Sequence, residues 1–372
     1  MASYLEVYVD NILQNYNSIK QLTGVEVMAV VKADAYGHGM EGVAKALEEG
    51  GVQWFGVSEV EEGVRLRECG IKGNILVMAG VTDDEERSID YELIASIHSF
   101  DALDRYNRVL KKKGKTGRVH ISMDTGMGRL GFFPSQIDEL SMWINILDSI
   151  KFEGLYTHFS SAHEKSRTYT QNQIRLFNWC IERFAQNGVT FNICHASNSE
   201  AAVDYPEARY DMVRVGNLIY GQRLYKGDLE VLKTYSLKSK IMEIREVPAG
   251  TYIGYGHYYR AKKPMRVGVV TAGFYDGLLS TKRNNVRSFK ICIKEMLKCV
   301  RDTFFDIPMV RYKNKHVPMV GRPSMQLMTV DLTGTDAQPG DYVEVDINPI
   351  NLKQNVKRVF VTKENGDKDE EK

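Results

Sequence analysis

The stretch VEVMAVVKADAYGHG, residues 25–39, opens with seven residues that are almost all apolar and then places a lysine, Lys32. A short, continuous apolar run of this kind suits a strand buried on both faces, as in a parallel sheet. The lysine at its end is unusual, because a buried ammonium is costly unless it is paired or gives up its proton more easily. A lone lysine ordinarily snorkels to water. A lysine that must be neutral to attack a carbonyl belongs in such a place. Tyr36 follows four residues later, within reach of a phosphate or a substrate group, or else as loop packing.

Outward from this segment the pattern repeats up to about residue 225. VEVMAVVKA precedes the helix-like MEGVAKALEEGG, QWFGVS precedes EVEEGVRLRECG, and ILVMAG leads through an acidic segment to YELIAS. RVHISMDT, KFEGLYTHFS, FNICHASN and MVRVG continue the series. Alternation of buried strands and helices over some 200 residues predicts a (β/α)8 barrel or an open doubly wound sheet. Lys32, Asp124, His158, Asn198 and Arg214 read as lying just after the apolar runs. Polar groups at the ends of several strands favour the barrel, whose active sites lie at that face.

Beyond about residue 230 the runs KSKIMEIREVPAG, MRVGVVTAGF, VPMVGR, MQLMTVDL and DYVEVD are separated by Gly and Pro turns, which predicts a mainly β domain. The expected organisation is a barrel domain over 1–228, its first strand open to joining the second domain, and a mainly β domain over 229–362. Residues 286–304 interrupt the latter with helical periodicity at Phe289, Ile293, Met296, Leu297 and Val300, and the charged stretch 363–372 reads as a disordered tail.

Composition narrows the function classes. With 372 residues, two domains are expected. Lys plus Arg number 49 against 48 Asp plus Glu, so nothing favours nucleic acid or an anionic membrane. No run approaches the roughly 18–20 apolar residues of a membrane span, and the N-terminal segment has no signal-peptide pattern. Five scattered cysteines without a CxxC pair read as free thiols of a reducing compartment, not a disulfide framework or a zinc site. The expectation is a cytoplasmic protein without a metal.

AVVKADAYGHG (29–39) closely resembles the cofactor-lysine segment of the alanine racemase family. The likeness continues in the family's order through DTGMGRLGF (124–132), THFSSAHE (157–164), HASNSEA (195–201), DMVRVGNLIYG (211–221), IGYG (253–256) and VGRPSMQ (320–326). It implies a homodimer with shared active sites, each chain a (β/α)8 barrel followed by a β domain, racemising L-alanine to D-alanine with pyridoxal 5'-phosphate. By resemblance, Lys32 carries the cofactor and is one catalytic base; Tyr255, from the other subunit, is the second. Arg214 faces the pyridine nitrogen, with His158 beside it. Tyr36, Asn198, Ser199, Gly216 and Asn217 hold the cofactor and its phosphate. Arg129 engages the substrate carboxylate, and the main chain of Met325 lines the same side as Tyr255.

Four positions depart from the family pattern. Ser122 stands where many members have a lysine that steadies the arginine. Phe274 in GFYDG replaces a hydroxyl-bearing residue, and Ser324–Met325–Gln326 replaces a Cys–Met–Asp run. The family's C-terminal tyrosine segment has no match in DINPINLKQNVKRVFV (346–361). These changes alter the pocket wall rather than the two bases, so serine or a longer amino acid is an alternative substrate. A related decarboxylase and a non-catalytic cofactor-binding protein are the readings from other classes.

Overall fold

A computed structural model describes residues 3–223, 229–280, 289–304, 309–353 and 355–362. The chain divides into two compact units, one spanning Tyr8–Thr234 and the other joining the residues up to Val7 with Tyr235–Val361. The tail 363–372 and positions 286–288 lie outside the described residues, as does the expected boundary at 228.

An N-terminal strand, β1 (Ser3–Tyr8), precedes eight parallel strands that close into a barrel: β2 (Glu26–Val30), β3 (Trp54–Val57), β4 (Asn74–Val77), β5 (Ile94–Ile97), β6 (Gly117–Ser122), β7 (Ile150–Tyr156), β8 (Ile193–His195) and β9 (Met212–Val215). The barrel, rather than the open sheet, is therefore correct. Closure is made by β9 against β2, where Met28 pairs with Arg214. The apolar runs become strands because both faces are covered: every residue of β3, β5 and β9 is buried. Met28, Trp54, Leu76, Ile94 and Met212 form one cluster inside the barrel. Each buried side chain of this size contributes about 1.5–3 kcal/mol relative to exposure.

Helices return the chain between strands, and local signals set their ends. In Phe100–Lys113, Ser99 accepts a hydrogen bond from the Ala102 amide, Leu103, Tyr106 and Leu110 face inward, and Lys111–Lys113 meet the C-terminal end of the dipole.

In the second unit, β10 (Tyr235–Val247) is the central strand. It pairs antiparallel with β1, so the N-terminal strand completes this sheet. The hairpin of β11 (Tyr252–Ile253) and β12 (Tyr259–Arg260) follows, then β13 (Met265–Val270), which pairs with the far half of β10 after a register shift between Ile241 and Glu243. β14 (Val310–Tyr312), β15 (Lys315–His316), β16 (Met328–Asp331), β17 (Tyr342–Val345) and β18 (Lys357–Val361) complete the unit, in sheet order β15-β14-β17-β10-β1-β18, with β13 branching from β10 and β16 pairing with β13. VPMVGR forms only a bridge, Met319 to Val330. A helix runs Phe289–Phe304, and its Phe289, Met296, Leu297 and Val300 are exposed.

Candidate active site at the barrel mouth

β2 ends at Val30, and Val31 still donates to the Gly56 carbonyl at 2.9 Å. The chain then turns left-handed: Ala33, Asp34, Ala35 and Tyr36 have φ of 52°, 56°, 53° and 54°. Such backbone costs L-residues roughly 1–2 kcal/mol each, so it persists only where the surroundings hold it. Glu62 accepts from the Ala33 amide at 2.6 Å and from the Ser58 amide at 2.8 Å, while Asp34 accepts from the Met40 amide at 2.9 Å. The turn presents Lys32 and Tyr36 to one cavity of about 250 Å³.

The same cavity is lined by Arg129, His158, Asn198, Ser199, Arg214, Gly216 and Asn217, so nine of the residues singled out from sequence converge at the C-terminal ends of the barrel strands. Arg129 arrives on the loop after β6, which is organised by Asp124. That carboxylate accepts from the amides of Gly126, Met127 and Gly128 at 2.8–3.1 Å. Asp124 therefore shapes the loop and does not line the cavity. Arg129 is exposed at the rim and makes no side-chain hydrogen bond or ion pair among the described residues. Ser122, also in the wall, gives it no anchor.

Arg214 lies within β9, not after it, and is 4% exposed. Its guanidinium donates to His195 Nδ1 at 2.7 Å, to the carbonyls of Thr157 and Ala196 at 2.8 and 3.0 Å, and to His158 Nδ1 at 3.3 Å. It also lies 5.2 Å from the Tyr156 ring centroid. Burial draws its pKa down to about 10, which leaves it a cation at neutral pH. Lys32 sits below the usual lysine range because it is buried and faces the Arg129 cation; Glu62 opposes this in part, and Arg214 adds a smaller push downward. The His158 imidazole is pushed down to about 3 by burial, then by Arg214, Arg129 and Lys32. Burial raises the Tyr36 phenol to about 12.

Gly216 completes the cradle. Its amide donates to Ser199 Oγ at 3.1 Å, and a Cβ on it would lie 2.2 Å from Tyr36 Oη. Asn198 caps the helix Ser199–Asp204 through the Ala201 amide.

Tyr255 and Met325 belong to the second unit, where both are exposed. Tyr255 begins a short turn after β11. Tyr275 donates its amide to the Met325 carbonyl at 2.9 Å, which ties GFYDG to the RPSMQ segment. Sequence reading missed Met78, Tyr156, His163 and Glu200 in the cavity wall, and His195 behind Arg214. The sequence signals for His195 are its place in a buried run, which any core histidine shares, and at the head of HASNSEA, neither of which assigns it a role.

A closed parallel barrel with a low-pKa lysine, two arginines and a phenol converging at its mouth defines a class of barrel proteins suited to an anionic ligand held beside a reactive amine. The chain belongs to the alanine racemase family: the profile for the alanine racemase N-terminal domain matches residues 7–224 and that for the C-terminal domain residues 234–359. It is 32% identical over 350 residues to an alanine racemase of Clostridium tetani, covering 91% of this chain and 84% of that one. It is also 32% identical over 378 residues to an alanine racemase of Halothermothrix orenii, covering 98% of each. The solved alanine racemase of Clostridium difficile superposes with a TM-score of 0.86 at 30% identity, covering 98% of this chain and 96% of that one. Among the described residues, no helix is long and apolar enough to cross a membrane.

Proposed function

We propose that this chain is a pyridoxal-phosphate-dependent alanine racemase that interconverts L- and D-alanine by a two-base mechanism. Family membership supports the reaction. The observation that carries the assignment of residues is the cavity in which Lys32, Arg214 and the Tyr36–Gly216 cradle meet.

The donor set fits the cofactor: the Tyr36 and Ser199 hydroxyls beside Gly216 suit its phosphate, and an amine held below its usual pKa suits covalent attachment. A structure of the Bartonella henselae alanine racemase is described as carrying covalently bound pyridoxal phosphate. Lys32 would hold the group, with its phosphate among Tyr36, Ser199, Gly216 and Asn217 and with Asn198 beside it. When bound, it supplies an electron sink beside the substrate Cα.

Lys32 Nζ serves as the base on one face of Cα. Burial and the neighbouring guanidiniums favour its neutral form, the form able to take a proton. Tyr255 Oη, from a second copy, holds or accepts the proton on the opposite face; its exposure leaves it available to a partner. Arg214 can only donate, so it would hold a ring nitrogen set against it in the unprotonated, accepting form. That would make the sink weaker and favour return of the proton to Cα. Arg129, with a planar fork free at the rim, is placed to take the substrate carboxylate. Met325 would line the Tyr255 side.

The reading includes a homodimer with shared sites and two working domains divided near residues 229–235. A cytoplasmic location is supported by free thiols at Cys69, Cys180, Cys194 and Cys292. The test is incubation of the cofactor-loaded protein with L-alanine in D2O. Chiral chromatography should show D-alanine, and mass spectrometry deuterium at Cα. A fully loaded protein that exchanges no α-proton would refute the proposal.

A further inference from the structure

Arg214 is one end of a polar chain that runs through the barrel interior to its N-terminal mouth. Because an arginine only donates, His195 Nδ1 must accept, and the His195 proton resides on Nε2. His195 Nε2 lies 2.8 Å from His120 Nδ1, so His120 accepts in turn and carries its own proton on Nε2. That atom faces Glu153 Oε2 at 3.7 Å. Both imidazoles are fully buried. Arg118 closes the chain, with Nε and Nη2 at 2.9 and 2.7 Å from Glu153 Oε2.

The backbone is built around this arrangement. β6 and β7 pair Val119 with Phe152 and then His120 with Gly154, so Glu153 is an extra, bulged residue. Bulges re-aim side chains and recur beside active sites. Here the bulge leaves Glu153 buried at 7% exposure beside His120. Gly154 is required next to it, because a Cβ there would lie 2.5 Å from His120 Nδ1. Tyr156 holds the His195 ring by stacking at 4.9 Å and 7°.

We infer that Glu153 is a positioning residue: its charge beside His120 reinforces, from the far end, the hydrogen-bond direction that Arg214 imposes on His195 and His120, and so holds the Arg214 guanidinium in place. At 3.7 Å the ionised carboxylate makes no hydrogen bond to His120 Nε2, but its negative charge favours the proton on the ring nitrogen that faces it. Without that charge His120 could place its proton on Nδ1, His195 would turn its own proton to its Nδ1, and two donors would then face each other at Arg214. Burial pushes the Glu153 carboxyl up, but His120 and Arg118 outweigh this and hold it down at about 2, so it is ionised across the working range.

The inference rests on the reading of Arg214 given above, and its test separates the two. In the full-length chain labelled with 15N-histidine, with and without bound pyridoxal phosphate, His120 and His195 should each appear as a single Nε2–H tautomer. Glu153→Gln, whose amide can donate as well as accept, should give mixed tautomers at His120. Its kcat should fall about tenfold with little change in KM for alanine. Glu153→Asp, which keeps the charge, should restore the single tautomer. An Nδ1–H on His195 in the unsubstituted protein overturns the inference even if Glu153→Gln does not fold. So does a folded Glu153→Gln protein with unchanged tautomers and turnover. Correct tautomers in a protein that never racemises alanine would support this inference and sink the racemase reading instead.

Discussion

Replacing Gly216 by alanine puts a methyl group where Tyr36 already is. The new Cβ would lie 2.2 Å from Tyr36 Oη, 2.6 Å from Cζ and 3.0 Å from Cε2. Favourable contact needs about 3.5 Å, so the ring must move by about 1 Å or β9 must yield. Neither is free to do so. Tyr36 packs on Tyr220 at 4.9 Å, Tyr220 donates to the Val30 carbonyl at 3.1 Å, and the Tyr36 backbone is held in the left-handed turn. Overpacking of this kind costs about 1–3 kcal/mol, and in a unit of this size 2 kcal/mol lowers Tm by about 4–8 °C. Calorimetry of the cofactor-free protein checks that shift. Titration with pyridoxal phosphate should show affinity weaker by about tenfold, equivalent to about 1.4 kcal/mol, because Tyr36 Oη has left the cradle. Adding Tyr36→Phe removes the nearest atom but leaves Cζ in the way, so stability should return only in part. If Tm moves by less than about 1 °C and affinity is unchanged, the cradle is not tight and the phosphate assignment loses its geometric support.

Lys32→Ala should abolish turnover and also the borohydride-trapped adduct of pyridoxal phosphate; an adduct that survived would place the covalent site elsewhere. Tyr255→Phe should lose turnover while retaining cofactor absorbance. Mixing the two inactive proteins should regain about a quarter of normal activity if each site of a symmetric dimer draws Tyr255 from the partner; no recovery after verified subunit exchange would refute sharing. Acid should destabilise the cofactor-free protein. His158 binds its proton near pH 3 when folded but near 6.5 when unfolded, so the unfolded state holds more protons in that window and stability falls as pH drops through it. Denaturant melts of His158→Gln should show a slope shallower by up to about 1.4 kcal/mol per pH unit there. Glu153 adds its own loss only below about pH 4.5, and an unchanged slope between pH 6.5 and 4.5 would refute the assignment.

Much of the barrel was legible because most of its strands, β2 to β5 and β9 above all, are buried on both faces, which writes a nearly unbroken apolar run into the chain. The open-sheet alternative fell only on closure, since the pairing of β9 with β2 joins residues about 185 apart and leaves no local mark. The second unit was read less completely. β14, β15 and β18 are short or half-exposed, and β1 reads like any edge segment until β10 lies against it. The helix Phe289–Phe304 has the periodicity of a core element, yet its apolar residues face outward, which periodicity alone does not report.

By itself the sequence determined where chemistry was concentrated. A lysine closing an apolar strand, an arginine inside one and glycines beside them are local anomalies, and burying a cation is costly enough that such anomalies stand out. Only the tertiary structure decided how those groups are oriented and charged. The proton positions on His195 and His120, the inward turn of Glu153 and the lowered pKa of Lys32 arise from neighbours about 20–180 residues away, and electrostatics depends on distance in space, not on distance along the chain.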